Sequence, residues 1–300
     1  MNKNIFKFIF VSLIFSLAIF APNSVLAATA YLNSESETIN IGDTAMVSLF
    51  LDTQNQPINV VEGVLAINSG AENIEVRDIS VAGASLDFWM TKPSWDKDKA
   101  TFNFAGGVPN GFNKADGLLF KFFVVAKKAG QVIFNPAEII AYANDGKGTA
   151  FPAVGKALTL NVVNAPDGTA VVDELKKTVS SDNLPPESLT ATVGQDASLY
   201  DGKLFLYISA IDNQSGMDFI ELKEGDLPTV RTGNNYVLQD QTQGSVITIT
   251  AHDKAGNVKT LVINPTQSPT FKSKNFLPLA IIVLVLWALV FIIKRNRRKK

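Results

Sequence analysis

The 300-residue sequence contains no cysteine, which excludes disulfides, thiolate metal sites and cysteine nucleophiles. Any exported domain within it must be held by packing alone. There is one histidine, His252, so histidine-rich metal sites are excluded and any histidine-dependent triad would have to use that residue. No Gly-x-Ser-x-Gly elbow accompanies it to supply a partnered nucleophile. An excess of charge of one sign is also lacking: the formal net charge is -1, and the densest basic cluster, Lys294 to Lys300, sits at the C-terminus. The middle of the chain therefore offers no phosphate-tracking surface, and no nucleic-acid partner is expected.

Long apolar runs are confined to the two ends. Lys3 and Lys7, the run Phe8 to Phe20, and Val25-Leu26-Ala27 read as the charged, apolar and small-residue parts of a secretory signal, residues 1–27. The apolar run falls short of the roughly 20 residues a spanning helix needs. Phe276 to Ile293 carries no charge and is rich in Leu, Ile and Val, so it has no polar face to turn outwards on a soluble core. It is expected to span the lipid bilayer, with Pro278 in its first turn, where a missing N–H costs little. Lys294, Arg295, Arg297, Arg298, Lys299 and Lys300 follow it, whereas Lys272 and Lys274 precede it. That imbalance puts the tail 294–300 in the cytoplasm and everything before the helix outside the cell. Asn264-Pro265-Thr266-Gln267-Ser268 does not match a sortase pentapeptide in residue order, so the helix itself is the expected tether.

Between the ends, short apolar segments alternate with Gly, Asn, Asp and Pro clusters, as expected of many short strands. Val47, Leu49 and Leu51 fall on one strand face, and Val61, Gly63, Leu65 and Ile67 on one face of the next. Phe102 and Phe104 lead into Gly106-Gly107, and Leu118 to Val125 is apolar on both faces apart from Lys121, which suits a strand inside a sandwich. Leu158, Leu160 and Val162 close this unit. Two half-apolar sheets must cover each other, so residues 29–163 are predicted to be an antiparallel β-sandwich. Pro166-Asp167-Gly168 opens a linker over 164–183, in which Val171, Val172, Leu175 and Val179 form one side of a short amphipathic helix. A second β pattern runs over 184–265, with Leu204, Leu206 and Ile208 alternating, then Ile247, Ile249 and Ala251, then a hairpin after Gly256-Asn257. Its size and strand count predict a small immunoglobulin-like sandwich. Residues 266–275 join it to the helix. The fold class is thus all-β, two sandwiches and one transmembrane helix.

Ile41-Gly42-Asp43-Thr44 before an alternating strand, Asp116-Gly117-Leu118-Leu119 before a Phe-rich strand, and the closing β segment together resemble a cohesin domain over nearly all of 29–163. The stretch is similar to cohesin-like domains of small uncultivated bacteria at Gly106-Gly107, Gly111-Phe112 and Ala143 to Thr149. In the second unit, Asp212-Asn213-Gln214-Ser215-Gly216 and Asp253-Lys254-Ala255-Gly256-Asn257 resemble paired loop motifs of bacterial Ig-like surface domains, where they shape turns. The cohesin resemblance implies a dockerin-like protein partner, the calcium-loaded helical module of another protein. Because the cohesin fold is close to that of some carbohydrate-binding modules, a polysaccharide is the other ligand it implies.

Three groups of residues are candidates for chemistry. Phe88, Trp89 and Trp95, broken by Pro93, form an aromatic group able to stack on sugar rings or anchor an interface, or to serve as core. Asn144 and Asp145 offer oxygen ligands for calcium in a turn, as do Asp212 and Asn213, though none has EF-hand spacing and such residues also make turns unaided. Glu35, Glu37, Asp87, Asp96 and Asp98 are carboxylates from which an acid and base pair could be drawn, but nothing around them resembles a glycosidase signature. His252 with Asp253 sits at the start of a turn, where a surface histidine is ordinary. The expected protein is a membrane-anchored extracellular recognition or adhesion protein, not an enzyme. The alternative is a structural cell-envelope protein with no specific ligand.

Overall fold

The alternation seen in the sequence becomes the inside of a sandwich. Val47, Leu49 and Leu51 are fully buried, as are Val61 and Leu65 on the next strand and Phe102 and Phe120 further on. The computed structural model describes residues 28–266. Its first unit carries β1 (Thr29–Ser34), β2 (Thr38–Asn40), β3 (Thr44–Asp52), β4 (Ile58–Ser69), β5 (Ile74–Ser80) and β6 (Phe88–Asp96). These are followed by β7 (Thr101–Phe112), β8 (Gly117–Ala126), β9 (Gly130–Ala143), β10 (Ala150–Pro152), β11 (Val154–Lys156) and β12 (Leu158–Val163). One sheet has five strands in the order β11-β1-β3-β8-β5; the other has seven, β2-β12-β9-β4-β7-β6, with β10 added on β9. Neighbouring strands are antiparallel except β1 with β11 and β2 with β12.

Phenylalanines close this sandwich. Phe102 of the seven-stranded sheet lies 4.3 Å, ring centre to ring centre, from Phe122 of the five-stranded sheet, and Phe122 lies 5.5 Å from Phe134 back on the first. Phe104 meets Phe120 edge-on at 5.2 Å. Such contacts add to area burial, because edge-to-face and offset rings match positive rim to negative face.

The linker's helix was expected to include Val171 and Val172. It is shorter: α1 runs from Glu174 to Ser181, and the linker is docked on the first sandwich. Val171 and Val172 precede it, because Asp43 takes the backbone there for another purpose. The Asp43 carboxylate, itself buried, accepts the Val172 N–H at 2.8 Å and the Asn40 N–H at 2.9 Å, while the Thr44 N–H donates to the Val172 carbonyl at 2.8 Å. With its N–H and its carbonyl both committed to Asp43 and Thr44, Val172 stays outside the helix. Asp173 then caps α1 by accepting from the Lys176 N–H at 2.9 Å, and is joined at 3.0 Å by Arg77 of β5.

The second unit comprises β13 (Ser188–Gly194), β14 (Phe205–Ile211), β15 (Met217–Glu224), β16 (Val230–Thr232), β17 (Asn235–Val237), β18 (Ile247–Asp253) and β19 (Val258–Ile263). They form a three-stranded sheet, β13-β14-β17, and a four-stranded one, β16-β15-β18-β19. Leu206, Ile208, Leu222, Ile249 and Ala251 are its buried centre. The β18–β19 hairpin forms as expected, with Val258 and Val262 on the exposed face.

Among the described residues no helix is long and apolar enough to cross a membrane. The expected signal, 1–27, transmembrane helix, 276–293, and basic tail, 294–300, lie outside the described residues.

With no covalent cross-link, the ring cluster sets the stability of the first sandwich. Phe102→Ala should lower unfolding free energy by about 3–5 kcal/mol, the usual cost of emptying a large aromatic site. Urea denaturation followed by tryptophan fluorescence measures it, and a loss under about 1 kcal/mol would mean that the core refills.

Candidate functional site

A cleft of about 770 Å³ lies where the two sandwiches meet. Its first wall is built at one side of the first sandwich, where β5 is the edge of one sheet and β6 the edge of the other. The connection from Val81 to Asp87 crosses between these edges with Leu86 buried beneath it. Phe88 and Trp89 open β6 directly opposite Gly107 and Gly106 of β7. A Cβ at Gly106 would come within 2.8 Å of Trp89 Cε3, and one at Gly107 within 2.6 Å of Phe88 Cζ. The glycine pair therefore leaves the space into which both rings settle. The second wall comes from β14 and its neighbours: Tyr207, Ser209 and Ile211 share the outer face of β14, because Leu206 and Ile208 take the inner one.

The walls are fastened together. Lys254 Nζ contacts Asp78 Oδ2 at 2.5 Å and the Ile79 carbonyl at 3.5 Å. Gly216 abuts Ser80 so closely that a Cβ would lie 2.9 Å from the Ser80 hydroxyl. On the linker side, Asp182 accepts from the Ser215 hydroxyl at 2.6 Å, the Ser215 N–H at 3.1 Å and the Leu184 N–H at 3.0 Å.

Of the aromatic candidates, the structure brings Phe88 and Trp89 to this cleft and leaves Trp95 out. Trp95 packs on Phe102, 4.7 Å between ring centres, and belongs to the margin of the core. Tyr207 was missed by the sequence reading. The alternation of Leu204, Leu206 and Ile208 placed it on an outer face, but nothing local says that this face meets Phe88 and Trp89.

Of the calcium candidates, Asp145 is engaged by its own turn and Asn144 by a neighbouring strand. Asp145 Oδ1 accepts from the Lys147 N–H at 2.8 Å and the Gly148 N–H at 3.0 Å, and Oδ2 from the Thr149 hydroxyl at 2.5 Å. The Asn144 amide donates to the Asn110 carbonyl at 3.1 Å. The Thr149 hydroxyl, with backbone N–H groups behind it, holds the Asp145 carboxyl down at about 2. Asp240 is similar: the Thr242 and Ser245 hydroxyls and the Thr242 N–H hold it at about 2.

A different set of acids converges at the junction. Asp182, Asp212 and Asp253, all buried, have carboxylate oxygens within 4.8 Å of one another. Burial pushes the Asp212 carboxyl up, and neighbouring Asp182 adds to that against the hydrogen bond from the Gly216 N–H. Burial acts on Asp182 too, but its hydrogen bonds from Ser215 and Leu184 outweigh it and leave the carboxyl below its usual range. Three oxygen ligands are the donor type a hard cation takes. Here each carboxylate already accepts protein N–H groups, Asp253 from Asn257 at 2.8 Å and Asp212 from Gly216 at 2.6 Å.

The remaining acids are dispersed. Glu35 faces Lys177 at 3.6 Å, Asp96 accepts from the Asp98 and Lys99 N–H groups, and Asp87 lies in the cleft. His252 stacks on Phe219 at 4.3 Å, and its Nε2 is buried without a hydrogen-bond partner, 3.4 Å from Glu221.

In comparison with solved structures, about half of the chain is similar to cohesin modules. One is from a family 33 glycoside hydrolase of Clostridium perfringens, at 12% identity over 47% of this chain and 99% of that one, with a TM-score of 0.40. Another is a non-cellulosomal cohesin from the hyperthermophilic archaeon Archaeoglobus fulgidus, at 17% identity over 46% of this chain and 92% of that one, TM-score 0.36. A third, the seventh ScaB type I cohesin from Pseudobacteroides cellulosolvens, shows 14% identity over 47% and 97%, TM-score 0.37. No family model matches the chain, and no curated protein does.

Two tests follow from this geometry. Lys254→Ala should widen the distance distribution between spin labels placed one on each sandwich, while the unfolding midpoint shifts little, since part-exposed ion pairs contribute about 0–1 kcal/mol. An unchanged distribution would show that the remaining contacts suffice. The Asp145 and Asp240 carboxyls sit at about 2 in the folded chain against an ordinary 3.8. The stability they contribute is therefore complete above 3.8 and lost as the pH falls towards 2. The double variant Asp145→Asn, Asp240→Asn should show a shallower fall of the urea midpoint across that window, and an identical slope would contradict the assignment.

Proposed function

We propose that this chain is a recognition protein displayed outside the cell, a cohesin-like sandwich carried on an Ig-like one and tethered to the membrane by 276–293, with 294–300 in the cytoplasm. The charge asymmetry around 276–293 and the signal-like residues 1–27 support the display. Residues Ile41 to Thr44 and Asp116 to Leu119, with their resemblance to cohesins, support the cohesin-like reading, and the fold gives Asp43 a defined task within it.

The observation that carries recognition over catalysis is how the reactive groups are used. The one histidine is stacked on Phe219 with its Nε2 buried and free of hydrogen bonds, and the paired acids serve as acceptors in turns and at the junction. The cleft is one surface open to an outside ligand. A dockerin-like protein is the partner implied by the cohesin resemblance; a polysaccharide is the second reading, favoured by the aromatic residues Phe88, Trp89 and Tyr207 in the cleft.

The full chain in lipid nanodiscs, titrated with calcium-loaded dockerin modules and with polysaccharides, should bind at least one saturably. Protease added to intact cells should remove the sandwiches and spare a C-terminal tag. Absence of binding to either class, with protein abundant in the envelope, would favour a purely structural role.

A further inference from the structure

We propose that the cleft between the two sandwiches is a binding site for a neutral, β-linked polysaccharide of glucose or N-acetylglucosamine units. The proposal rests on the recognition reading above and gives it a site and a ligand class.

The first argument concerns unspent polar groups. Some Asp side chains in turns are consumed by their own loops, as at Asp145, Asp240 and Asp253. At the cleft several polar side chains are left open and lie together. The side chains of Asp87, Lys92, Asn213, Asp218 and Asn235 line it, and none has a hydrogen-bond or ion-pair partner among the described residues. Carboxylates and amides of this kind accept from, or bridge, pairs of adjacent hydroxyls. Ligand sites characteristically combine apolar walls with a few such groups that fix orientation.

The second argument concerns the rings. Phe88 and Trp89 stand on one wall, Tyr207 on the other, and Phe88 and Tyr207 are 37% and 46% exposed. Exposed rings facing a concave space are costly to leave in water and offer flat apolar faces. A β-linked gluco-configured sugar carries its substituents equatorially, so both of its ring faces are C–H surfaces that can lie against such rings. Its rim of equatorial hydroxyls then points at the polar groups.

Charge and rigidity narrow the choice. Lys254 and Asp78 neutralise each other, which leaves Asp87, Asp218 and the buried Asp212 against Lys92, so a polyanion would meet net repulsion. The clasp of Lys254 on Asp78 and the close seat of Gly216 on Ser80 hold the walls in place, so little ordering cost remains at binding. A partner helix would need a continuous apolar groove at helical spacing. The carboxylates and amides interrupt any such run.

The test is isothermal titration of the full chain in lipid nanodiscs, which carry no sugar headgroup, with cellohexaose, chitohexaose and, as an anionic control, polygalacturonate. At least one of the two neutral hexasaccharides should bind and polygalacturonate should not. Tyr207→Ala and Asp218→Ala should each weaken binding about tenfold, the scale of one stacking or charged contact, with an unchanged melting temperature. Trp89→Ala should weaken it too, but Trp89 also packs on the core, so the two variants on the second sandwich carry the result. No binding of either hexasaccharide, or undiminished binding by the Tyr207→Ala, Asp218→Ala double variant, would overturn the proposal. Capture of a calcium-loaded dockerin module by that same double variant separates the outcomes. If it persists while sugar binding is absent, the cleft assignment fails and the recognition reading stands. Loss of dockerin capture without any sugar binding would assign the cleft to a protein instead.

Discussion

Phe102, Phe120, Phe122 and Phe134 interlock across the sheets of the first sandwich, and in a chain without cysteine this contact holds the sheets face to face. Rings from β7, β8 and β9 must meet at fixed heights, so the strand registers follow from it. The register of β7 in turn places Gly106 and Gly107 opposite Trp89 and Phe88. A packing requirement deep in the core thereby fixes where two surface rings lie at the edge.

Carboxylates act as a second internal skeleton. Asp43 gathers Asn40 and Val172, Asp182 gathers Leu184 and Ser215, and buried Glu224 accepts from Tyr236, Gln239 and Asp240. Each satisfies backbone donors that a loop would otherwise leave open, which compensates for burying the charge. Acidic residues in this chain are thus mostly structural, and an acid in a sequence of this composition is weak evidence for catalysis.

Between the sandwiches, the linker is sewn at both ends. Asp43 and Arg77 hold its first half to the first sandwich, Asp182 binds its end into the second, and Lys254 closes the far side on Asp78. A spacer would separate two independent surfaces. A docked linker instead makes one composite surface out of two edges, and the cleft exists because of that.

Much of the fold was legible in the sequence. Period-two alternation at Val47, Leu49 and Leu51, and at Ile247, Ile249 and Ala251, named the inner faces, since a strand with one buried face has no other way to place its apolar side chains. The start of α1 was not legible, because the Asp43 carboxylate, well over a hundred positions away, binds the Val172 N–H. For the site, sequence singled out Phe88 and Trp89 together with Trp95, and could not separate them, because all three lie on one strand and both tryptophans pack on the core, but only Trp89 also lines the cleft. Tyr207, Asp218 and Asn235 were beyond its reach. Their meeting with Phe88 and Trp89 depends on how two separately folded sandwiches dock, through contacts such as Lys254 on Asp78 that join positions far apart in the chain. Local patterns along a sequence determine which face of each strand is inside; only tertiary structure decides which outer faces are brought together.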